Sequence, residues 1–217
     1  GQGLAAQLRS RAAGTASVCV MACDGGDASE AATSQAMVGP LSGVLHAAGL
    51  GDSGLLEWIQ SPYLAAMLAP KAAGAAHLLH ATAGAPLCAA LLFSSVASAL
   101  GNVGQAGYSA ANASLDAVAV SRVVWGLAAS CLQLPIVLGA GMGQAGLDAR
   151  TGPKAAAISM HEVARFKGML PISLQQYAAS LGRVLLDAPA GVAQCVLPGG
   201  SERLRAGVAD ASQRLFT

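Results

Sequence analysis

The sequence predicts an α/β fold, a doubly wound parallel sheet with helices on both faces. Three observations predict it. Short apolar runs alternate with Ala-rich helical runs along 217 residues, and Gly or Pro marks most of the boundaries. Hydrophobic residues make up 54% of the chain and charged residues only 11%, so most elements must bury at least one face.

The elements are read in order. Residues 16–22 (ASVCVMA) form an apolar run bounded by Gly14 and Gly25-Gly26 and read as a buried strand. Residues 27–37, Ala-rich with Glu30, read as a helix closed by Gly39-Pro40. Residues 43–47 (GVLHA) form a second strand, followed by a Gly-rich turn over 49–54. Residues 55–83 are helical in composition, and Pro70 should kink or restart the helix. A third strand covers 87–94 (LCAALLFS), then come a loop over 101–107, a long helix over 109–127 and a fourth strand over 128–137. Residues 139–156 are Gly-rich and read as a mobile loop or lid. A helix over 173–186, preceded by Leu170-Pro171, and a last strand over 192–197 complete the pattern. Parallel sheets place ligands beyond the carboxyl ends of their strands, so chemistry is expected just after Ala22, Ala47, Ser94 and Val137.

Composition excludes several classes. Lys+Arg number 12 against Asp+Glu 11, a net charge of +1, which lacks the basic excess of a nucleic-acid binder. Disorder is excluded by the hydrophobic content. A mean hydropathy of +0.54 raises the possibility of a membrane span, but the best candidate, residues 83–100, contains Pro86 and three serines and owes its apolarity to Ala. The first fourteen residues carry arginines and no apolar stretch, so no signal peptide is read there. Five scattered cysteines make no disulfide framework, and each sits in an apolar run, which predicts buried reduced thiols.

Residues 91–116 (LLFSSVASALGNVGQAGYSAANASLD) carry the chemistry. Ser95 follows a buried strand at the edge where a parallel sheet exposes polar groups. Tyr108 comes thirteen positions later on a helix, with Asn112 four further on and on the same face. Lys71 lies next to Pro70 in the preceding helix. These groups suit proton donation to a carbonyl under hydride attack. A tyrosine has a pKa near 10, and a cation within about 4–6 Å favours its phenolate. A serine hydroxyl can hold the substrate oxygen, and an asparagine amide can hold a water that resupplies the proton. Spacing alone leaves open that the three are ordinary surface groups.

Four phrases add to this reading: His46-Ala47-Ala48-Gly49, Leu68-Ala69-Pro70-Lys71, Leu92-Phe93-Ser94-Ser95, and Gly104-Gln105-Ala106-Gly107-Tyr108 running on to Ala111-Asn112-Ala113. In order and separation they resemble the ketoreductase domain of type I modular polyketide synthases, a branch of the short-chain dehydrogenase/reductase superfamily. The resemblance extends more weakly from Cys23-Asp24 to residues 168–173 (GMLPIS). It implies a Rossmann-like fold with Tyr108 as proton donor, Ser95 as its hydrogen-bonding partner, and Lys71 and Asn112 in support. The thirteen-residue step favours Ser95 over Ser94. Asn112 holds the position of the lysine in ordinary short-chain dehydrogenases, which favours the synthase branch. The resemblance also implies NADPH as cofactor, with Asp24 beside the adenine and Ala47, Ala48 and Gly49 under the nicotinamide ribose. The implied substrate is a β-ketoacyl thioester on an acyl carrier protein, reduced to the β-hydroxyacyl product, with neighbouring synthase domains as partners and a cytoplasmic setting. The expected domain spans residues 1–200, and residues 201–217 are expected to be a linker or the start of another segment. A catalytically silent, structural ketoreductase-like domain is the alternative.

The chain departs from the family in places. No Thr-Gly-Gly-x-Gly-x-Leu-Gly turn precedes residue 16, so the fold is expected without its first strand and its Gly-rich cofactor turn. Where one facial class carries Leu-Asp-Asp, this chain has Gly51-Asp52-Ser53, and the Trp that marks the other class is Leu100, so neither hydroxyl configuration is assigned. Leu134-Pro135-Ile136-Val137 replaces the family's Trp-Gly-Pro-Trp. His77 and His80, three apart, have no third ligand nearby and are read as core or surface histidines. Cys19 and Cys23 are read as strand packing, His46 as a buried turn histidine, and the sequon at Asn112 as unused.

Overall fold

The structure, a computed structural model, describes residues 19–51, 57, 59–101, 104–139, 171–186 and 191–194. Its centre is a four-stranded, all-parallel sheet in the order β1 (Gly43–His46), β2 (Ala89–Ser95), β3 (Ser130–Leu134), β4 (Gly191–Gln194). Register runs from Gly43 opposite Ala89 and Leu91 opposite Ser130 to Ser130 opposite Gly191. Four of the five strands read from the sequence recur, with ends moved by up to three residues.

Alternation along β2 sends its side chains to two cores. Ala90 and Leu92 join Val44, Ala75, Leu79, Leu115, Ala119 and Cys131 on one face. Leu91 joins Leu132 and Ile172 on the other, where Phe93, Tyr177, Leu181 and Val184 pack against them. The first face is covered by α3 (Gly74–Ala81) and α5 (Ala106–Val124), with α1 (Ala28–Val38) packed on α3, and the second by α6 (Leu174–Leu186). Helices on both faces make the sheet doubly wound, as predicted. Among the described residues β1 is an edge strand. Also among the described residues, no helix is long and apolar enough to cross a membrane.

Local chemistry sets the helix ends. Asp27 caps α1, its Oδ1 accepting from the backbone N–H groups of Ser29 and Glu30 at 2.8 and 3.0 Å. Gly39, at φ 81°, closes it. The long helix read over 55–83 is observed as α2 (Ser61–Leu68), a π-helical turn (Ala69–Ala73) and α3. Pro70 has no N–H and its ring crowds the preceding turn, so the chain widens there, and the Gly74 N–H reaches back five residues to the Ala69 carbonyl. A short helix, α4 (Ala97–Leu100), follows Ser95 after the single residue Val96.

Several expectations are corrected. Residues 19–24 belong to no strand: Val20 is half exposed, Cys19 and Cys23 are exposed, and among the described residues no strand pairs with this run. The thiols are correspondingly less buried than expected, since Cys19, Cys23 and Cys88 are exposed and only Cys131 of the four described cysteines is buried. The fourth strand ends at Leu134, and Val137 instead forms a parallel bridge with Ile172. That bridge brings the chain before residue 140 beside the chain after residue 170. Residues 16–18, the Asp52–Ser53 positions, the expected lid beyond Gly139, Cys195 and residues 201–217 lie outside the described residues.

Candidate active site

The site forms at the carboxyl ends of β1 and β2, between α5 and the π-helical turn. Ser94 and Ser95 end β2. Their hydroxyls diverge: Ser94 Oγ donates to the Asn112 carbonyl on α5 at 3.2 Å, while Ser95 Oγ accepts from the Ala97 N–H at 3.2 Å. Ser94 is thus engaged within the core and Ser95 stands at the strand end.

Lys71, on the π-helical turn, is only 4% exposed. Its Nζ donates to the Phe93 carbonyl on β2 at 2.8 Å and lies 5.9 Å from the centroid of the Tyr108 ring, within reach of a cation–π attraction. Burial lowers its pKa to about 8, and the nearby Cys131 and Asp116 oppose the fall. The aliphatic stem crosses Gly49: a β-carbon at that glycine would stand 2.7 Å from Lys71 Cε and 3.3 Å from Nζ. A side chain at position 49 and the present course of Lys71 exclude one another.

Asn112 is fully buried, and its Nδ2 donates to the Tyr108 carbonyl one turn earlier at 2.8 Å. Its Oδ1 is buried without a protein partner, an acceptor available to a water. This burial also removes Asn112 as a glycan acceptor. His46, at the end of β1, is 6% exposed, as the turn-histidine reading expected. Burial lowers its pKa, the Lys71 charge lowers it further, and hydrogen bonds with the backbone of Pro70 and Lys71 oppose both. The ring packs against Gly74, where a β-carbon would meet His46 Cε1 at 3.3 Å. His46 therefore braces the turn that presents Lys71.

Sequence reasoning missed one group of polar residues. Asp116, one turn beyond Asn112 on α5, accepts from Ser98 Oγ at 2.6 Å, Gln133 Nε2 at 2.7 Å and Cys131 Sγ at 3.0 Å. Gln133, the long polar side chain in the SCLQL strand, was the available signal, because such a side chain in an inner strand needs a buried partner.

The structure brings Ser95, Tyr108, Lys71 and Asn112 to one edge of the sheet, with Ala47, Ala48 and Gly49 immediately after β1. Asp24 lies further out, in the turn before α1, where its Oδ1 accepts from the Gly26 N–H at 2.8 Å. That turn packs on the same helix: a β-carbon at Gly26 would meet Ala69 Cβ at 3.5 Å, and the Gly25 carbonyl lies 3.3 Å from His77 Nδ1. Among the described residues no cluster of three His, Cys, Asp or Glu side chains could hold a metal. For a dinucleotide, exposed Ala47 and Ala48 and the bare backbone at Gly49 leave a low surface beside Lys71, which fits the nicotinamide end of such a cofactor.

A parallel sheet with helices on both faces, bringing a Ser, a helix-borne Tyr and a buried Lys to its carboxyl edge, places the chain in the Rossmann-like short-chain dehydrogenase/reductase fold class. Comparison with known proteins narrows the class. The family model for the KR domain matches residues 2–139, and the chain belongs to that family, the ketoreductase domains of polyketide synthases. Relatives include the spectinabilin polyketide synthase system protein NorB of Streptomyces orinoci, 43% identical over 141 residues, which are 64% of this chain and 6% of that protein. Protein NorA' of the same system is 33% identical over 221 residues, 91% of this chain and again 6% of the relative. The chain thus spans a small part of either one. A solved structure of A-type ketoreductases from a modular polyketide synthase superposes with a TM-score of 0.81 at 29% identity, covering 100% of this chain and 43% of that one. The first ketoreductase of the tylosin synthase superposes with a TM-score of 0.76 at 27% identity, covering 95% and 42%.

Proposed function

We propose that this chain is the catalytic part of a ketoreductase that reduces the β-keto group of an acyl-carrier-protein-bound thioester to a hydroxyl, with NADPH as reductant. The domain covers residues 1–200, with 201–217 as a linker or the start of another segment, and works in the cytoplasm beside neighbouring synthase domains. The observation that carries the reading is Lys71: a buried ammonium anchored to the strand that ends in Ser95 and set 5.9 Å from the Tyr108 ring.

NADPH, when bound, supplies the hydride that adds to the keto carbon; Ala47, Ala48 and Gly49 would carry its nicotinamide ribose and Asp24 its adenine end. The chain's own groups manage the oxygen. Ser95 holds the ketone oxygen by donating a hydrogen bond, and Tyr108 gives its phenolic proton to that oxygen as negative charge develops there. The Lys71 ammonium stabilises the charge left on Tyr108, more strongly in a buried site than it would in water. A water donating a hydrogen bond to Asn112 Oδ1 takes a proton from solvent as it gives one to Tyr108, and the product leaves as the alcohol.

Stopped-flow NADPH oxidation with a small β-ketoacyl thioester tests this on the full chain. Tyr108→Phe should lose about 10²–10⁴-fold in turnover, the range of a general acid, while cofactor binding is retained. An unchanged rate in that variant refutes the assignment of the acid. No turnover by the folded parent chain would instead support the silent, structural alternative.

A further inference from the structure

The inference drawn here rests on the ketoreductase reading and concerns how Ser95 is held at its distance from Tyr108. Ser95 and Tyr108 lie on different elements, the end of β2 and the first turns of α5, and residues 102–103 between them lie outside the described part of the chain. One carboxylate joins the two elements. Asp116 is eight residues beyond Tyr108 and four beyond Asn112, so the three share a face of α5. Ser98, on α4 three residues after Ser95, places its Oγ 2.6 Å from Asp116 Oδ2 and 2.8 Å from the Ser95 carbonyl, and its one hydrogen serves both acceptors.

Gln133 on β3 completes the clamp. Its Nε2 carries two hydrogens, one to Asp116 Oδ2 at 2.7 Å and one to Ser98 Oγ at 2.9 Å. Cys131 donates to the other carboxylate oxygen. Gln133 is 4% exposed and stands opposite Ser94 in the sheet, so the cluster is anchored to the strand next to the one that ends in Ser95. Ser98, Gln133 and Cys131 all donate to the Asp116 carboxylate, and the Gln133 N–H₂ group can do nothing but donate. None of these side chains is assigned contact with the substrate, so their effect passes through Ser95.

We propose that Asp116, with Ser98 and Gln133, is a positioning residue that sets the Ser95–Tyr108 separation by tying α4 to α5. Two variants of the full chain test it. Ser98→Ala removes the bridge to the Ser95 carbonyl with little loss of volume. Asp116→Asn keeps the shape but removes the charge, and its N–H₂ group faces either the donor-only Gln133 Nε2 or the Cys131 sulfur, a weak acceptor at best. Both should lower kcat about tenfold to hundredfold, as expected when a reacting group is misplaced by about 1 Å. KM for thioester and cofactor should stay within about twofold, and hydrogen–deuterium exchange over residues 96–101 should be faster than in the parent. Parent-like kcat in both variants, with parent-like exchange over 96–101, overturns the positioning role while leaving the reductase reading intact. A fall in thermal stability with kcat unchanged does the same, showing the clamp to be structural only. Should the parent chain itself be inactive, it is the reductase reading that fails, and the exchange data alone then decide whether the clamp holds α4.

Discussion

Gly49→Ala probes the site at its tightest point. The added β-carbon would lie 2.7 Å from Lys71 Cε, about 1 Å inside ordinary carbon–carbon contact. The lysine has little room to retreat, since it is 4% exposed and fixed by a 2.8 Å hydrogen bond to the Phe93 carbonyl. Moving the stem by about 1 Å stretches that bond beyond hydrogen-bonding range. A lost hydrogen bond from a charged group costs about 1.5–3 kcal/mol, which corresponds to about tenfold to hundredfold if it is expressed in the transition state. In a chain of this length the same loss, borne by the folded state, lowers Tm by about 3–12 °C. The assay is NADPH oxidation with the thioester substrate beside a thermal unfolding scan. Gly49→Ala should lose turnover, Tm, or both by these amounts. Parent-like kcat with Tm unchanged to within a degree would show that Lys71 can move freely, and the fixed-ammonium argument would fail.

Two further outcomes are expected. With the Lys71 pKa lowered to about 8 from the usual 10.5, the ammonium is complete below that value and is lost as pH rises through it. A pH–rate profile of kcat should therefore fall on its alkaline side near pH 8, Lys71 being faced by Tyr108, His46, Asp116 and Cys131; a plateau extending to pH 10 would contradict it. Between pH 8 and 10.5 the unfolded chain holds a proton that the folded chain has lost, so the penalty of burying this ammonium, full below pH 8, is relieved as pH rises across that window. In the native state iodoacetamide should alkylate Cys19, Cys23 and Cys88 but leave Cys131 untouched until the chain unfolds, because burial and the bond to Asp116 hold its thiol proton well above the ordinary range. Peptide mass mapping reads this directly, and rapid native labelling of Cys131 would refute it.

The parallel sheet was legible because its inner strands are apolar runs punctuated by Gly and Pro, and because burial on both faces leaves that mark locally. The run over residues 16–22 carries the same mark, yet its described part, 19–22, is not a strand. Strand formation needs a neighbour, and a sequence window contains no information about neighbours. Ser95, Tyr108, Lys71 and Asn112 were found by phrase and spacing, and the structure brings them to one edge. Asp116 was missed for a physical reason: its donors come from α4 and β3, eighteen and seventeen positions away, and no helical or strand period connects them. Pro70 announced a break, but whether the helix would stop, bend or widen depended on Gly74 and on His46 packing against it.

That widening has a consequence for how variation can be tolerated here. An α-helix advances about 100° per residue, so the one additional residue taken up between Ala69 and Ala73 rotates everything downstream by roughly that angle. The rotation lets one continuous rod serve two masters: Lys71 is aimed at the strand end, and Ala75 and Leu79 are aimed at the sheet. Deleting a single residue anywhere in this turn would regularise the rod and leave either the ammonium or the greasy face pointing the wrong way. Lys71 apart, a substitution in this stretch is thus less hazardous than a change in its length.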